Sequence, residues 1–163
     1  NGDGLDDVAL GAPGWSSDLE ERGRVYVLLG PLESTPDLLT APATLTSTEA
    51  GARVGWALSR AGDVNEDGFS DLWVGAPGLD DEREEDVGAT FLVLGPLSGA
   101  LVLEENAAAR IQGGLEGGES GTHLAGGQDA DGDGVLDLWV GAPLEGSNGQ
   151  ESGGAYLVLG IGE

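Results

Sequence analysis

The sequence predicts an all-β fold made of repeated four-stranded sheets. Three observations lead to this prediction: glycine accounts for 31 of the 163 residues, the apolar residues cluster in short runs, and two motifs recur with one period. Short apolar runs between glycine-rich turns are typical of all-β proteins. Hydrophobic residues make up 39% of the chain, and a disordered segment would contain fewer.

The first motif ends in a Gly-Ala-Pro triplet that follows a short apolar run. The triplets begin at Gly11, Gly75 and Gly141, so they are 64 and 66 residues apart. The second motif is a mostly apolar run bounded by glycines, and its copies are 65 residues apart. These copies occupy residues 23–30, 88–95 and 153–160. Two motifs that keep the same period indicate a true internal repeat.

Each period contains four predicted strands, and the second repeat shows all of them. They cover residues 54–61, 72–75, 89–94 and 109–112, and the last corresponds to 44–46 one period earlier. Four antiparallel strands per repeat are typical of a β-propeller blade. The second and third strands are nearly continuous apolar runs, as expected when neighbouring blades bury both faces of a sheet.

The period divides the chain into about two and a half repeats of one repeat domain. We expect a partial first blade over residues 1–50, a complete second blade over 51–116 and a partial third blade over 117–163. So few blades do not close a ring, because propellers have about four to eight. We therefore expect an incomplete propeller. More of the same polypeptide or, as the second choice, other copies of the chain would cover its open edges.

Two loops carry oxygen-bearing side chains at their first, third, fifth and ninth positions. A glycine at the sixth position allows a sharp turn, and the seventh residue offers its backbone carbonyl. This set suits a hard cation that takes six to eight oxygen ligands. The predicted ligands are Asp63, Asn65, Asp67, Phe69 and Asp71 in one loop and Asp129, Asp131, Asp133, Val135 and Asp137 in the other.

Both loops differ from an EF-hand, which ends in a glutamate at the twelfth position, because Val74 or Val140 stands there. Calcium is favoured over magnesium, since so many carboxylates would fill the coordination sphere that magnesium shares with water. The alternative is an ordinary Asp-Gly turn. That alternative leaves several carboxylates close together without a cation, where they repel one another. The sequence therefore predicts two calcium sites.

The first residues form a third, partial copy of the same loop. Asn1, Asp3, Leu5 and Asp7 take its third, fifth, seventh and ninth positions, and the first ligand has no counterpart. We therefore predict one partial calcium site beside the two full ones, and whether it is occupied stays open.

These motifs resemble the FG-GAP repeat, the blade unit of integrin α-subunit propellers and of many bacterial surface proteins. The acidic loop, the Gly-Ala-Pro triplet and the strand behind it carry the resemblance. The Phe-Gly element is degenerate, as Val54-Gly55 and Ser120-Gly121. The resemblance implies calcium loops between the first and second strands of a blade, with the ligand roles named above. It also implies a role in adhesion and ligand binding, and a bacterial surface or secreted member of the family.

The charge of the chain restricts its partners. Thirty acidic residues face six basic ones, which gives a net charge of −24. A chain this acidic repels nucleic acid and anionic membrane surfaces. No apolar run approaches the ~18 residues that a membrane-spanning helix needs, so we expect no membrane insertion.

Nothing in the sequence predicts catalysis, so we expect a protein that is not an enzyme. His123 is the single histidine and aligns with a strand position, and the serines have no repeated histidine partner. We expect a calcium-binding structural or adhesive module, outside the cell or at its surface, that binds a protein partner or further copies or blades. Two alternatives stay open: a glycan-binding module and a non-catalytic domain of a larger secreted enzyme.

Three of the four tryptophans are expected in the blade core. Trp73 and Trp139 occupy equivalent strand positions, and Trp56 follows Gly55 in the predicted first strand. The segments after each Gly-Ala-Pro triplet vary most in sequence, and loops of this kind are candidates for recognition. They cover residues 16–22, 80–86 and 145–148.

Trp15 follows the first Gly-Ala-Pro triplet, where we align it with Leu79 and Leu144. It is expected to pack over the edge of the blade. In the glycan-binding alternative its ring stacks on a sugar instead.

Overall fold

The computed structural model describes residues 1–16, 20–32, 35–81, 85–146, 149 and 152–160. These residues form eleven strands, one short helix and one 3-10 turn, which confirms the all-β prediction. The strands are β1 (Val8–Ala12), β2 (Arg24–Leu28), β3 (Ala43–Thr46), β4 (Leu58–Gly62), β5 (Asp71–Ala76), β6 (Ala89–Val93), β7 (Gly99–Val102), β8 (Ala109–Gln112), β9 (His123–Gln128), β10 (Asp137–Ala142) and β11 (Gly154–Val158). The helix α1 is Leu103–Asn106, and the 3-10 turn is Leu38–Thr40.

The middle sheet has the order β4-β5-β6-β8, and all its neighbours are antiparallel. It is the four-stranded blade that the second repeat predicts. Its first strand differs from the prediction, because β4 begins at Leu58 rather than at Val54. The φ angles of Arg53 and Gly55 are +55° and +83°, which turns the chain out of the extended conformation there. Val54 instead forms an isolated parallel bridge with Gly23 of the first repeat.

The first sheet has the order β1-β2-β3-β7. Its outer strand was not predicted, since β7 comes from the connection between β6 and β8 and pairs in parallel with β3. The N–H of Gly99 donates to the carbonyl of Pro42 at 2.8 Å, and the helix after β7 buries Leu103. Glu104 of that helix accepts a hydrogen bond from Oγ of Ser47. The connection of the second repeat therefore fastens the outer edge of the first sheet.

The third sheet has the order β11-β10-β9 among the described residues. Its strands are antiparallel and correspond to β6, β5 and β4 of the middle sheet. A register shift between Asp137 and Leu138 matches the shift between Arg60 and Gly62 in β4, where the middle sheet begins its own acidic loop. The same irregularity therefore marks the loop-bearing end of both sheets.

The hydrophobic core lies between the first two sheets. Val25 and Val27 of β2 belong to the same buried cluster as Val74 of β5 and Phe91 and Val93 of β6. Side chains alternate between the faces of a strand, so the middle sheet packs one face on the first sheet and the other on the third. Stacked sheets of this kind confirm partial propeller blades with both faces buried in the middle.

Glycines of successive repeats meet where the sheets stack. A Cβ on Gly11 would overlap the carbonyl oxygen of Gly55, and a Cβ on Gly75 would overlap that of Gly121. The N–H of Gly55 also donates to the carbonyl of Gly75 at 3.0 Å, and that of Gly121 to Gly141 at 3.1 Å. The glycine of the degenerate Phe-Gly element thus lies between the Gly-Ala-Pro glycines of its own repeat and of the one before.

Candidate metal centres

The acidic loops occupy equivalent places in the three sheets. Residues 63–71 join β4 to β5, residues 129–137 join β9 to β10, and residues 1–7 lead into β1. Since β1, β5 and β10 are equivalent strands of stacked sheets, the three loops lie at one end of the molecule. We refer to them as loop one (1–7), loop two (63–71) and loop three (129–137).

Loop two is held by its own carboxylates. Asp63 accepts hydrogen bonds from the N–H groups of Asp67 at 3.0 Å and Gly68 at 2.8 Å. Asp67 accepts one from the N–H of Phe69 at 2.9 Å. The φ angle of Gly68 is +90°, a conformation that side-chain-bearing residues rarely adopt. These bonds turn the fifth, sixth and seventh residues around the first carboxylate.

Loop three repeats this arrangement. Asp129 accepts from the N–H groups of Asp133 at 3.2 Å and Gly134 at 2.9 Å, and Asp133 accepts from Val135 at 2.8 Å. One carboxylate oxygen from each of three residues lies within 4.8 Å of the other two, a spacing that can hold an ion. These residues are Asp129, Asp131 and Asp137. Asp133, the fourth predicted acidic ligand, is outside that group.

The carboxylate at the ninth position is buried and accepts hydrogen bonds from its own loop and from the glycine after the third strand. Asp71 is 2% exposed and accepts from the N–H of Val64 at 2.7 Å and of Gly95 at 2.8 Å. Asp137 is 3% exposed and accepts from Ala130 at 2.6 Å and Gly160 at 2.8 Å. The ninth residue therefore ties its loop to the glycine that ends the third strand. The sequence signal for this tie is the glycine that closes the second motif in every repeat.

The N–H groups around Asp137 also affect its pKa. The hydrogen bonds from Gly160 and Ala130 hold the pKa of its carboxyl below the usual range, which favours the ionised form. Asp131 differs: the hydrogen bond from the Asp133 N–H lowers its pKa, but burial and the charges of Asp133, Asp137 and Asp129 outweigh it and raise the pKa. Such mutual repulsion is what a bound cation relieves, so the donor set of loop three fits calcium.

Loop one has the same internal bonds. Asp3 accepts from the N–H of Leu5 at 2.8 Å, and Asp7 accepts from the N–H of Gly30 at 2.9 Å. The ninth residue of loop one therefore bonds the loop to the glycine after β2, as the ninth residues of loops two and three do at Gly95 and Gly160.

A family model for the FG-GAP repeat matches residues 1–28, 54–93 and 120–158. The chain belongs to the FG-GAP repeat family. It is 36% identical to integrin alpha-PS5 of Drosophila melanogaster over 152 residues, which cover 88% of this chain and 14% of that protein. It is 36% identical to integrin alpha-5 of Xenopus laevis over 154 residues, 87% of this chain and 14% of that protein. It is also 30% identical to integrin alpha pat-2 of Caenorhabditis elegans, over 87% of this chain and 12% of that protein.

The resemblance to the FG-GAP repeat is therefore confirmed. The three matched segments each contain an acidic loop, a Gly-Ala-Pro triplet and the strand after it. The chain spans about a seventh of the length of these integrin alpha relatives. No described helix of the FG-GAP chain has the length and apolar character needed to span a membrane.

Two tryptophans expected in the core are exposed. Trp56 is 48% exposed, and the guanidinium of Arg53 lies 5.6 Å from its ring centroid. Trp139 is 45% exposed on the face of the third sheet that has no further described sheet beside it. Its equivalent, Trp73, is partly buried because the third sheet packs beside it, and a Cβ on Gly126 would lie 3.1 Å from its ring.

The ring of Trp15 is partly buried and packs against a side chain of β2. The guanidinium of Arg24 lies 3.4 Å from the ring centroid, in the stacked position of a cation–π pair. One face of the ring is thus covered, which disfavours stacking on a sugar. The variable segments predicted for recognition include residues 17–19, 82–84 and 147–148, which lie outside the described residues.

The alignment of Trp15 with Leu144 was wrong by one residue. The N–H groups of Trp15, Leu79 and Glu145 each donate to the alanine of the preceding Gly-Ala-Pro triplet, at 3.0, 3.3 and 3.2 Å. Glu145 is therefore the counterpart, and it is 5% exposed where the second repeat has an apolar residue. The phenol of Tyr156 donates a hydrogen bond to its carboxylate.

We predict that the phenol of Tyr156 ionises at a higher pH than an ordinary tyrosine. Its hydrogen bond to Glu145, with burial and the charge of that carboxylate, raises its pKa above the ordinary value of 10.0. The folded pKa of Tyr156 lies above its unfolded pKa. The hydrogen bond therefore contributes stability to the folded chain that is fully present below the unfolded pKa and is lost as pH rises through the folded pKa. Tyrosinate absorbance in a Tyr26→Phe variant, which keeps Tyr156 as the single tyrosine, measures the midpoint.

Glu145→Gln in the same background supplies the control, since a neutral amide removes the charge and should bring the Tyr156 midpoint back towards the ordinary tyrosine value. A midpoint at that value before the substitution, in protein that is still folded, would contradict the prediction.

Proposed function

We propose that this chain is a calcium-binding, non-catalytic module that acts outside the cell or at its surface, in protein–protein interaction or assembly. The observation that carries the proposal is the repeated loop, in which the same hydrogen bonds orient carboxylates in two full copies and one partial copy. The family match and the integrin alpha relatives support an adhesive role.

The proposed ligands are those that the loop positions predict. In loop three, Asp129, Asp131 and Asp137 already lie within ion-binding distance of one another. In loop two, the side-chain oxygens at the equivalent positions would bind the ion. The backbone carbonyls of Phe69 and Val135, at the seventh positions, would complete the two sites. Bound calcium would neutralise carboxylates that otherwise repel one another, and so would stabilise the end of each sheet.

We propose an extracellular location, where weak calcium sites are useful. Sites with dissociation constants of about 10⁻⁴–10⁻³ M, as in extracellular modules, would be filled outside a cell and empty in cytosol. We propose that the chain forms blades of a larger ring, divided at residues 50 and 116 as the period predicts. Its partner is then a protein, or further blades or copies of the same kind.

Equilibrium dialysis against calcium tests the proposal. We expect about two calcium ions per chain at millimolar concentration, from the two full loops. Asp67→Ala and Asp133→Ala should each remove one, because each deletes the fifth ligand of one loop. Glu116→Ala, which changes an exposed acidic residue outside the loops, is the control. Absence of bound calcium at several millimolar would contradict the proposed function.

A further inference from the structure

Loop three touches the residue that precedes loop two, and neither residue of this contact is predicted to bind the ion. Gly62 immediately precedes loop two, and Leu136 lies between the seventh and ninth positions of loop three. A Cβ on Gly62 would overlap Cδ1 of Leu136, so the leucine rests directly on the Gly62 backbone. The φ angle of Gly62 is +87°, so the chain turns out of β4 and into loop two at the point of contact.

A hydrogen bond also joins the strands that enter these two loops. The N–H of Gly126 in β9 donates to Oγ of Ser59 in β4 at 2.8 Å. A Cβ on Gly126 would lie 2.9 Å from the carbonyl oxygen of Arg60, so the two strands are as close as their backbones allow. The strands that enter loops two and three are therefore in direct contact.

A contact between neighbouring loops recurs one repeat earlier. A Cβ on Gly2 would lie 2.8 Å from Cε1 of Phe69. Gly2 lies between two predicted ligands of loop one, and Phe69 is the seventh residue of loop two. Each acidic loop thus touches the neighbouring loop or the residue just before it, although different residues make the two contacts.

We infer that cation binding in loop two and loop three is positively coupled through the contact of Leu136 with Gly62. This inference rests on the proposed calcium-binding function. A cation in loop three orders its ligands Val135 and Asp137, and it thereby holds the intervening Leu136 on Gly62. The start of loop two is then already ordered when its own cation binds, so less conformational entropy is lost. Such coupling is reciprocal, so each loop raises the affinity of the other by the same factor.

Calorimetric titration of the chelator-treated chain with calcium chloride tests the coupling. All variants carry Asp3→Ala, so that the partial loop one adds no binding. Coupling between sites is typically 5-fold to 150-fold, and we expect at least about 5-fold here. Asp133→Ala removes a ligand of loop three, so loop two should bind calcium more weakly than the parent does in its second binding step. Asp67→Ala removes a ligand of loop two and should weaken binding to loop three by the same factor.

Leu136→Ala should make the two sites independent while both ligand sets remain. Leu39→Ala is the matched control, since Leu39 is 92% exposed and far along the chain from both loops. Two independent sites in the parent protein would overturn the inference and leave the calcium-binding function intact. No bound calcium would overturn both. If Leu136→Ala does not fold, the two aspartate variants, which keep the leucine, still measure the coupling.

Discussion

Replacing Gly75 by alanine should destabilise the protein by about 3 kcal/mol, at the upper end of what overpacking in an interior costs. A Cβ there would overlap the carbonyl oxygen of Gly121. That obstacle is a backbone atom, so no side-chain rotation relieves the overlap and the second and third sheets must separate. Thermal unfolding followed by circular dichroism should show a Tm lower by roughly 6–12 °C for a chain of this size.

Gly14→Ala is the matched control, because Gly14 directly follows a Gly-Ala-Pro triplet and a Cβ there would meet nothing within 4 Å. Its Tm should change little, as expected for a surface substitution. Gly11→Ala should reproduce the large effect at the first junction, where the carbonyl oxygen of Gly55 is the obstacle. A Gly75→Ala protein that melts with the parent would show that the sheets do not depend on this contact.

Removing calcium should lower the stability by about 5 kcal/mol. A ligand present at 100 times its dissociation constant stabilises the folded chain by about 2.7 kcal/mol per site, and two full loops are proposed. With ~10 mM calcium and a dissociation constant near 10⁻⁴ M, chelation should therefore lower the Tm by roughly 10–20 °C. Calcium raises the stability because it binds the folded chain, whereas the unfolded chain lacks the assembled ligand set.

Two comparisons separate specific binding from charge screening. The net charge is −24, so any divalent cation reduces general repulsion, and magnesium at the same concentration gives the size of that effect. In Asp67→Ala and Asp133→Ala the part of the Tm increase that calcium alone produces should fall by about half. An equal increase with both metals, unchanged in these variants, would refute specific sites in the loops.

The strands with strong local patterns could be predicted from the sequence. The bounds of β5, β6 and β8 lie within one residue of the prediction, because apolar runs end there at glycine-rich turns or acidic loops. β7 could not be predicted. Its partner β3 is separated from it in the chain by β4, β5 and β6, and Gly99–Val102 has no equivalent run in the first repeat. Pairing between such distant segments leaves no local periodicity to detect.

The burial of individual side chains was harder to predict than the strands that carry them. Trp139 and Trp73 occupy identical positions in equivalent strands. Among the described residues, only Trp73 has another sheet packed on the face that carries its side chain. Glu145 is buried in a place that Leu79 fills one repeat earlier, because Tyr156 offers a hydrogen bond to its carboxylate. Exposure in a stacked fold depends on what lies opposite, and one strand does not encode that.

The composition of the acidic loops is local information. Nine consecutive residues contain the proposed ligands and the glycine that turns them, so the sequence by itself determined the repeat, the all-β class and the position of each loop. Only the tertiary structure decided which repeats touch, as at Gly75 and Gly121 or at Gly62 and Leu136. Those pairs lie far apart in the chain, and the physical reason for their contact is the stacking of sheets, which brings backbones close wherever glycine leaves room.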